Sequence, residues 1–236
     1  MCAIFKKLSF LAVAGLLSNA FFLSSVHASG MLPETSVVII NEADGEASMN
    51  VKNTDANATL LYTSIQNLPE DKENLLVVTP PVARVEPEET QLVRFILQSK
   101  EPLKTQRFKR VIFEGIPQQS KDGGVKVTMN VRQNLPVIIH PKGLAPNREP
   151  WKLLTWSVSN GKLIAKNDSA YVVRLAQTVT LLPGKAEFDL GKTYFLPGET
   201  ISVPVPAAAA ASTTVRLAPA TVYGFSVDSY DAALTK

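Results

Sequence analysis

The sequence predicts an all-β protein built from sandwiches or barrels, and three observations support this prediction. Apolar and polar residues alternate with a period of two in many segments, for example in GVKVTMNVRQNLPVIIHP (124–141). This period is typical of strands with one buried face. Such runs are short and are separated by turn residues, as in sandwiches and barrels. The sequence contains no convincing helical pattern longer than two turns.

The first half of the chain contains the strand signals in close succession. SVVII (36–40) is a continuous apolar run and is predicted to be a buried strand, and Asp44-Gly45 after it is a hairpin signal. ENLLVV ends at the TPP turn, where two prolines stop a ladder. The other predicted strands of this half are SMNVKN, TLLYTSIQNL, QLVRFIL (91–97), FKRVIFEGI (108–116) and the alternating stretch from residue 124.

A proline-rich segment divides the chain into two domains. HPKGLAPNREP (140–150) contains three prolines and one glycine, a composition typical of a domain boundary. We predict an N-terminal domain at 29–143, a linker at 144–150 and a C-terminal domain at 151–236. PVPAAAAASTTVRL (204–217) is predicted to be a loop that runs into a strand, because a short alanine run beside prolines cannot nucleate a helix. The remaining strands of this half are predicted in WKLLTWSVS, GKLIAKN, AYVVRLAQTVTLL and ATVYGFSVDSY.

The first residues have the order of a secretory signal peptide. Lys6 and Lys7 precede an apolar run over 8–23, and the small-residue end SVHAS follows. We predict a signal peptide at 1–28, cleavage after Ala28 and a periplasmic location; a retained signal anchor is the alternative. The single cysteine, Cys2, lies within this segment, so the mature chain is expected to lack disulfides.

Charge and residue types argue against several functions. The formal net charge is +3, and removal of Lys6 and Lys7 would bring it near neutrality, which argues against nucleic-acid binding. His140 would be the one histidine left after cleavage, and the carboxylates are scattered over predicted turns. A metal site needs clustered ligands, and no nucleophile motif or phosphate-binding loop is found. We therefore predict no enzymatic activity, no metal, no cofactor and no small-molecule substrate. An exported enzyme such as a metal oxidase is a rival that the ligand count disfavours.

A binding strand is the strongest functional signal. Val125, Val127, Met129 and Val131 form one apolar face of the alternating stretch. A strand of this kind at a domain edge can pair with a partner chain through main-chain hydrogen bonds and side-chain pockets. The other interpretation is that these side chains pack into the protein's own sandwich, and the period alone favours that interpretation.

Several motifs resemble those of the periplasmic pilus chaperones of the chaperone–usher family. The most specific is VTPPVARVEPEETQLVRFIL (78–97), with its TPP turn, Arg84, the Glu86-Pro87 pair and Arg94. VIFEGIP, VIIHPKGL and IAKNDSAYVV resemble further strand motifs of that family, so the resemblance spans nearly the whole mature chain.

The resemblance implies two Ig-like β-sandwich domains set at an angle with a cleft between them. It also implies that Val125, Val127, Met129 and Val131 belong to a donor strand, which caps an incomplete pilin subunit before delivery to an outer-membrane usher. The same edge offers a route to self-association. The alternative function is an exported structural or adhesion Ig-like protein of a surface fimbria. The LPVII pattern resembles the archaic-type branch of the family.

Two basic positions that the family uses to hold the subunit's C-terminal carboxylate are changed here. Ser36 and Pro136 occupy them, so we expect another base to take over or the terminus to stay hydrated. Arg132 is the favoured replacement, because a guanidinium is always charged and can bind bidentately; a solvated edge residue is the alternative. The candidates are Arg132, Arg94, His140 and Lys142. An interdomain cluster is expected from Gln106, His140 and Asp228, with His140 in the basic role.

Overall fold

The computed structural model describes residues 30–117 and 131–235, and within these ranges the chain forms two β-sandwiches. The predicted signal peptide (1–28) and most of the predicted donor strand lie outside the described residues. The strands of the N-terminal sandwich are β1 (Met31–Pro33), β2 (Val38–Asn41), β3 (Glu46–Asn53), β4 (Thr59–Gln66), β5 (Leu76–Thr79), β6 (Val82–Val85), β7 (Thr90–Leu97), β8 (Arg107–Pro117) and β9 (Arg132–His140).

The C-terminal sandwich begins with a 3₁₀ helix (Pro150–Leu153) and contains a second one at Ala207–Ala211. Its strands are β10 (Thr155–Ser159), β11 (Lys162–Lys166), β12 (Val173–Leu175), β13 (Thr178–Leu182), β14 (Ala186–Asp189), β15 (Tyr194–Phe195), β16 (Thr200–Pro204), β17 (Thr214–Leu217), β18 (Pro219–Ala220) and β19 (Tyr230–Thr235). The all-β prediction is confirmed.

The N-terminal sandwich consists of a four-stranded sheet and a five-stranded sheet, in the orders β1-β3-β7-β5 and β2-β9-β8-β4-β6. All pairs are antiparallel except β2 and β9, which run parallel. Alternate residues point into the shared core. Phe95 and Phe113, one from each sheet, are fully buried there and meet edge to face with ring centroids 6.4 Å apart.

The C-terminal sandwich packs a three-stranded sheet on a seven-stranded one, in the orders β15-β12-β18 and β14-β13-β17-β19-β10-β11-β16. Trp156 and Phe195 fill its core, with ring centroids 6.1 Å apart. No helix among the described residues has the length and apolar character needed to cross a bilayer.

Three local predictions from the sequence were wrong. ATVYGFSVDSY (220–230) was predicted to be a strand, but only its two ends lie in strands, Ala220 in β18 and Tyr230 in β19, and residues 221–229 between them form turns and loop. Asp44-Gly45 forms a turn but not a hairpin, because β2 pairs with β9 and β3 pairs with β7 in the opposite sheet. The alanine run was predicted to be a loop and instead forms the 3₁₀ helix Ala207–Ala211, with Ala209 N donating to Pro206 O at 2.9 Å. The nucleation argument applies to α-helices, whereas a single 3₁₀ turn needs only local bonds.

A buried asparagine braces each sandwich in the same way. Asn53 donates through Nδ2 to Val85 O at 2.9 Å, and Asn167 donates through Nδ2 to Leu196 O at 3.0 Å. Both side chains are fully buried, and each Oδ1 accepts a backbone N–H two residues further on. Each asparagine thus ties its own turn to the end of a strand of the same sandwich.

A buried cluster of charges fixes the loop between β4 and β5 to β8. Lys109 is fully buried, and its Nζ lies 3.0 Å from Asp71 Oδ1 and 2.8 Å from both Asp71 O and Glu73 O. Arg107 Nε donates to Asp71 Oδ2 at 2.8 Å. Burial alone would raise the pKa of the Asp71 carboxyl, but hydrogen bonds from Arg107 and Lys109 outweigh it and lower that pKa. Burial lowers the pKa of Lys109, and Asp71 opposes that shift.

We expect Asp71→Asn to lower the free energy of unfolding by about 3 kcal/mol at pH 7, because it leaves the buried Lys109 ammonium without its counter-ion. The matched control is Glu73→Gln, which removes a largely exposed carboxylate from the same loop and should cost less than about 1 kcal/mol. The measurement is urea unfolding of both variants beside the wild type. Equal effects would mean that the Lys109–Asp71 pair does not stabilise the fold.

The effect of Asp71→Asn should also depend on pH in a defined direction. The folded-state pKa of Asp71 lies below its ordinary value of 3.8, so its contribution is complete above that pH and is lost as the pH falls through the folded-state pKa. The gap between the variant and the wild type should therefore close in acid. A gap that persists at the lowest pH at which both fold would contradict this assignment.

The proposed linker gives a second prediction. Limited digestion with trypsin should first cut within 144–150, at the exposed Arg148, and release two resistant fragments. Mass spectrometry of the early fragments is the measurement. A single resistant core, or first cuts only near the alanine run, would argue against the proposed domain boundary.

Candidate binding cleft

The two sandwiches meet through a small apolar cluster that belongs to neither main core. Outward residues of β8 and β9 supply one side, and Val172, just before β12, and Tyr194, on β15, supply the other. Phe108 and Tyr194 are in contact across this junction, with ring centroids 4.9 Å apart. The buried members are Val37, Leu68, Phe108, Ile138 and Val172, with Ile39, Tyr194 and Leu196 packed around them.

Main-chain hydrogen bonds through Gln106 reinforce this junction. Gln106 N donates to Ala170 O at 2.8 Å, and Val172 N donates to Gln106 Oε1 at 2.8 Å. Gln106 Nε2 lies 2.9 Å from His140 Nδ1, and His140 Nε2 lies 2.8 Å from Leu144 O. The structure thus brings together Gln106 and His140, two members of the predicted interdomain cluster.

Asp228, the third predicted member, lies elsewhere. It lines a shallow groove of the C-terminal sandwich together with Arg148, Trp151 and Tyr230. Within the described ranges, no hydrogen bond or ion pair joins Asp228 to Gln106 or His140. His140 bonds to an amide and a carbonyl, so a charged pair is not what holds it here.

One ion pair also spans the junction. Lys192 Nζ lies 3.1 Å from Glu70 Oε1 of the N-terminal sandwich, contacts Glu199, and sits 4.6 Å from the Tyr194 ring centroid. Burial opposes the charge on Lys192, but Glu199 and Glu70 outweigh it and raise the pKa of the ammonium. The Lys192 ammonium is therefore already paired with these two carboxylates.

Two arginines face the cleft beside this junction, and sequence reasoning did not identify either. Arg110 follows Phe108 on the outward face of β8, and Arg174 follows Val172 on the facing side of β12. Burial lowers the pKa of both guanidinium groups, and the charge of Arg110 lowers that of Arg174 further. Arginine nevertheless remains protonated at neutral pH.

Neither arginine has a carboxylate partner among the described residues. Arg110 donates through Nε to Asn134 Oδ1 at 2.6 Å. Arg174 Nη1 is buried and has no hydrogen-bond partner there. Two partly buried like charges without counter-ions form an arrangement that an anion would stabilise.

Both arginines lie next to the changed family positions. Pro136 on β9 is directly opposite Arg110 on β8. A methyl group on Gly224 would lie 3.5 Å from Arg174 Nη1 and 2.7 Å from Ser36 Oγ, so these two groups flank the same glycine. Gly224 has φ +87°, a conformation that favours glycine, and any side chain at this position would collide with Ser36 Oγ. Ser36 Oγ donates to Tyr223 O at 3.3 Å.

Three residues that the sequence predicted as candidates for the carboxylate anchor make other contacts. Arg132 is exposed and pairs with Glu114, with Nη2 and Oε2 2.8 Å apart. Arg94 lies on β7 of the four-stranded sheet and pairs with Glu46. Lys142 lies in the turn after β9, where its backbone N donates to Glu42 Oε2 at 2.7 Å.

The edge of β9 is covered over only part of its length. Its second half, Val137–His140, pairs with β2. Its first half, Arg132–Pro136, pairs with β8 on one side, and no strand of the described residues pairs with it on the other. Val131, just before β9, is 45% exposed. Val125, Val127 and Met129 lie outside the described residues.

No group of three or more His, Cys, Asp or Glu side chains within 30–117 and 131–235 is placed to hold a metal ion. The two arginines and the apolar junction can instead bind an anionic group beside an apolar chain. The open edge of β9 can accept a strand.

Comparison with known proteins assigns the family. The model of the pili and flagellar-assembly chaperone PapD N-terminal domain matches residues 30–145, and that of the pili assembly chaperone PapD C-terminal domain matches residues 149–230. A curated relative from Escherichia coli K12, the uncharacterized fimbrial chaperone YhcA, is 44% identical over 204 residues, which is 86% of this chain and 90% of the relative.

Solved structures agree at the level of the fold. The SafB chaperone complex with the SafA pilin from Salmonella enterica has a TM-score of 0.72 at 17% identity, covering 89% of this chain and 99% of that one. The CupB2 chaperone from Pseudomonas aeruginosa has a TM-score of 0.68 at 21% identity, covering 86% and 100%. The predicted pair of Ig-like sandwiches is confirmed, and the chain belongs to the PapD-like family of pili assembly chaperones.

Proposed function

We propose that this protein is a periplasmic chaperone that binds incomplete pilin subunits by donor-strand complementation and delivers them to an outer-membrane usher. The observation that supports this most directly is the half-covered edge of β9. An incomplete Ig-like sandwich lacks one strand, and its exposed edges and core favour aggregation. A chaperone strand with an open edge supplies the missing hydrogen bonds.

The proposed donor face continues from this edge. Val131 is exposed beside β9, and Val125, Val127 and Met129 precede it at the same parity. In this assignment the four side chains enter the groove of the subunit, and the main chain pairs with its edge. The archaic-type branch stays a prediction from the LPVII pattern.

The rival proposal is a structural or adhesion protein of the fimbria itself. Purification from the periplasm separates the two, because a chaperone should co-purify with a smaller pilin in a one-to-one complex. A chain recovered within the assembled fibre would contradict the chaperone assignment. We propose that the protein has no enzymatic activity and exerts its function through binding alone. The charged, apolar and small-residue order of 1–28 supports export.

We further propose that Arg110 and Arg174 bind the C-terminal carboxylate of the subunit. Their burial, their shared charge and their place beside Pro136 and Ser36 support this assignment over Arg132. Arg132 is already paired with Glu114 at the surface, where an ion pair contributes little. The carboxylate would neutralise two guanidinium groups and satisfy Arg174 Nη1.

The donor face gives a mutational prediction. Val127→Asp or Met129→Asp should abolish stabilisation of the subunit, because a carboxylate cannot enter an apolar groove without losing its hydration. Each lost side chain also removes about 1.5–3 kcal/mol of apolar burial. Thr128→Asp, on the opposite face, is the matched control and should bind normally. Binding is measured by co-purification, and folding by circular dichroism.

Unfolding of the Val127 and Met129 variants would assign these residues to the protein's own core. If a variant folds and still binds the subunit, the substituted residue does not belong to the donor face. If wild-type protein without subunit forms dimers that these variants do not form, the same edge also mediates self-association.

The proposed anchor gives a further prediction. Arg110→Gln and Arg174→Gln should each weaken subunit binding by about 10- to 100-fold, the range expected for loss of a charge-assisted hydrogen bond. Arg132→Gln is the matched control, with little expected change. Neither cleft variant should lower the thermal midpoint of the chaperone alone, because each removes one of two repelling charges.

A subunit with an amidated C-terminus identifies the ligand of these arginines. Wild-type chaperone should bind it as weakly as the variants bind the normal subunit, and the variants should show no further loss. If amidation weakens binding but Arg110→Gln and Arg174→Gln do not, the carboxylate is held elsewhere. If Arg132→Gln then weakens it, Arg132 is the anchor.

A further inference from the structure

We infer that Gln106 and His140 form a pH-sensitive latch between the two sandwiches, which holds only while the His140 ring is neutral. The pair lies where β8 begins and β9 ends, against the segment 170–172 of the C-terminal sandwich. Gln106 is only 5% exposed, so its amide groups depend on protein partners for hydrogen bonds.

The hydrogen-bond roles in this pair follow one from another. The backbone N–H of Val172 can only donate, so the Gln106 side-chain atom 2.8 Å away must be the oxygen Oε1. The Nε2 amide then faces His140 Nδ1 at 2.9 Å and must donate to it. Leu144 O can only accept, so His140 Nε2 carries the hydrogen. One protonation state, the neutral ring with hydrogen on Nε2, satisfies all three contacts.

A second proton on His140 breaks this chain of bonds. Nδ1–H would then point at the Gln106 amide hydrogens, and the two donors repel each other. Rotation of the Gln106 amide would offer an oxygen to His140, but it would turn the amide nitrogen toward the Val172 N–H and lose that bond instead. Either response leaves a buried polar group without a partner at the junction.

Within the described residues, the His140 ring is hydrogen-bonded to Gln106 and Leu144 and to no carboxylate. Glu42 follows β2, which pairs beside His140, but its two oxygens accept backbone N–H groups from Leu103 and Lys142. Arg107 on β8 is paired with Asp71 and Glu73. Tyr171 donates its hydroxyl to Ala145 O at 2.6 Å.

The latch is part of the contact between the sandwiches. Gln106 supplies both hydrogen bonds to the segment 170–172, one from its backbone and one to its side chain. Acidification should therefore loosen the C-terminal sandwich against β8, with the apolar cluster and the Lys192–Glu70 pair left as contacts between them. The relative position of Arg110 and Arg174, one on each sandwich, would become less defined.

Amide hydrogen exchange at Val172 tests the latch on the intact protein without any partner. After correction for the intrinsic rate, the protection of the Val172 amide should fall about tenfold or more between pH 7.5 and pH 5.0. His140→Asn places an acceptor near the Nδ1 position but does not titrate, and its protection at Val172 should stay constant. The thermal midpoint should fall by about 2–4 °C more in the wild type than in this variant.

Gln106→Glu should reverse the dependence. A carboxylate can accept from Val172 N–H and from a protonated His140 Nδ1–H together, so protection should be higher at pH 5.0 than at pH 7.5. If the wild type and His140→Asn lose protection equally, or if Gln106→Glu behaves as the wild type does, the latch is refuted. Should His140→Asn fail to fold, His140→Gln takes its place in the same comparison.

Discussion

The strict alternation of side chains along β8 is the constraint on which the rest of the molecule depends. Residues of one parity, including Val111 and Phe113, fill the core of the N-terminal sandwich. Residues of the other parity, Phe108 and Arg110, face the C-terminal sandwich and the cleft. A one-residue shift of β8 would exchange the two sets and destroy the core and the cleft together. The buried Lys109–Asp71 pair resists such a shift, because it ties one inward position of β8 to the loop between β4 and β5.

The junction between the sandwiches is small, and its chemistry is mostly neutral. An apolar cluster, the Gln106 hydrogen bonds and the Lys192–Glu70 pair make up the contacts described above. Positive charge is concentrated instead in Arg110 and Arg174, which have no carboxylate partner in the described part of the chain. The cleft therefore places two guanidinium groups, without a carboxylate partner among the described residues, beside a mostly apolar junction.

Much of this architecture was accessible from the sequence, because strand period, turn residues and the proline-rich segment are local signals. The β8 strand agrees with those expectations. The grouping of Gln106 with His140 was implied by the family resemblance and not by these local signals. The Asp44-Gly45 turn was misinterpreted because local turn chemistry does not reveal which sheet the next strand joins. The short 3₁₀ helix was missed because its bonds need no helical nucleus.

The cleft arginines were missed for a different reason. Arg110 and Arg174 are 64 positions apart in the chain, and each lies within an ordinary strand pattern. Their significance comes from the packing of one sandwich on the other, which no local pattern encodes. Arg132 attracted attention because it is near Pro136 in sequence, whereas Arg110 is near Pro136 across the sheet.

The parallel pairing of β2 with β9 has a consequence for how the protein folds. Val38 pairs with Val137, so the short strand β2, near the start of the N-terminal sandwich, gains its partner only when the last strand, β9, is in place. Contacts between residues so far apart in the chain close a large loop and slow the search for the native state. The antiparallel ladders between β3 and β7 and between β4 and β8 join residues closer in sequence. We therefore expect the pairing of β2 with β9 to be the last part of this sandwich to assemble, after the rest of its core has formed.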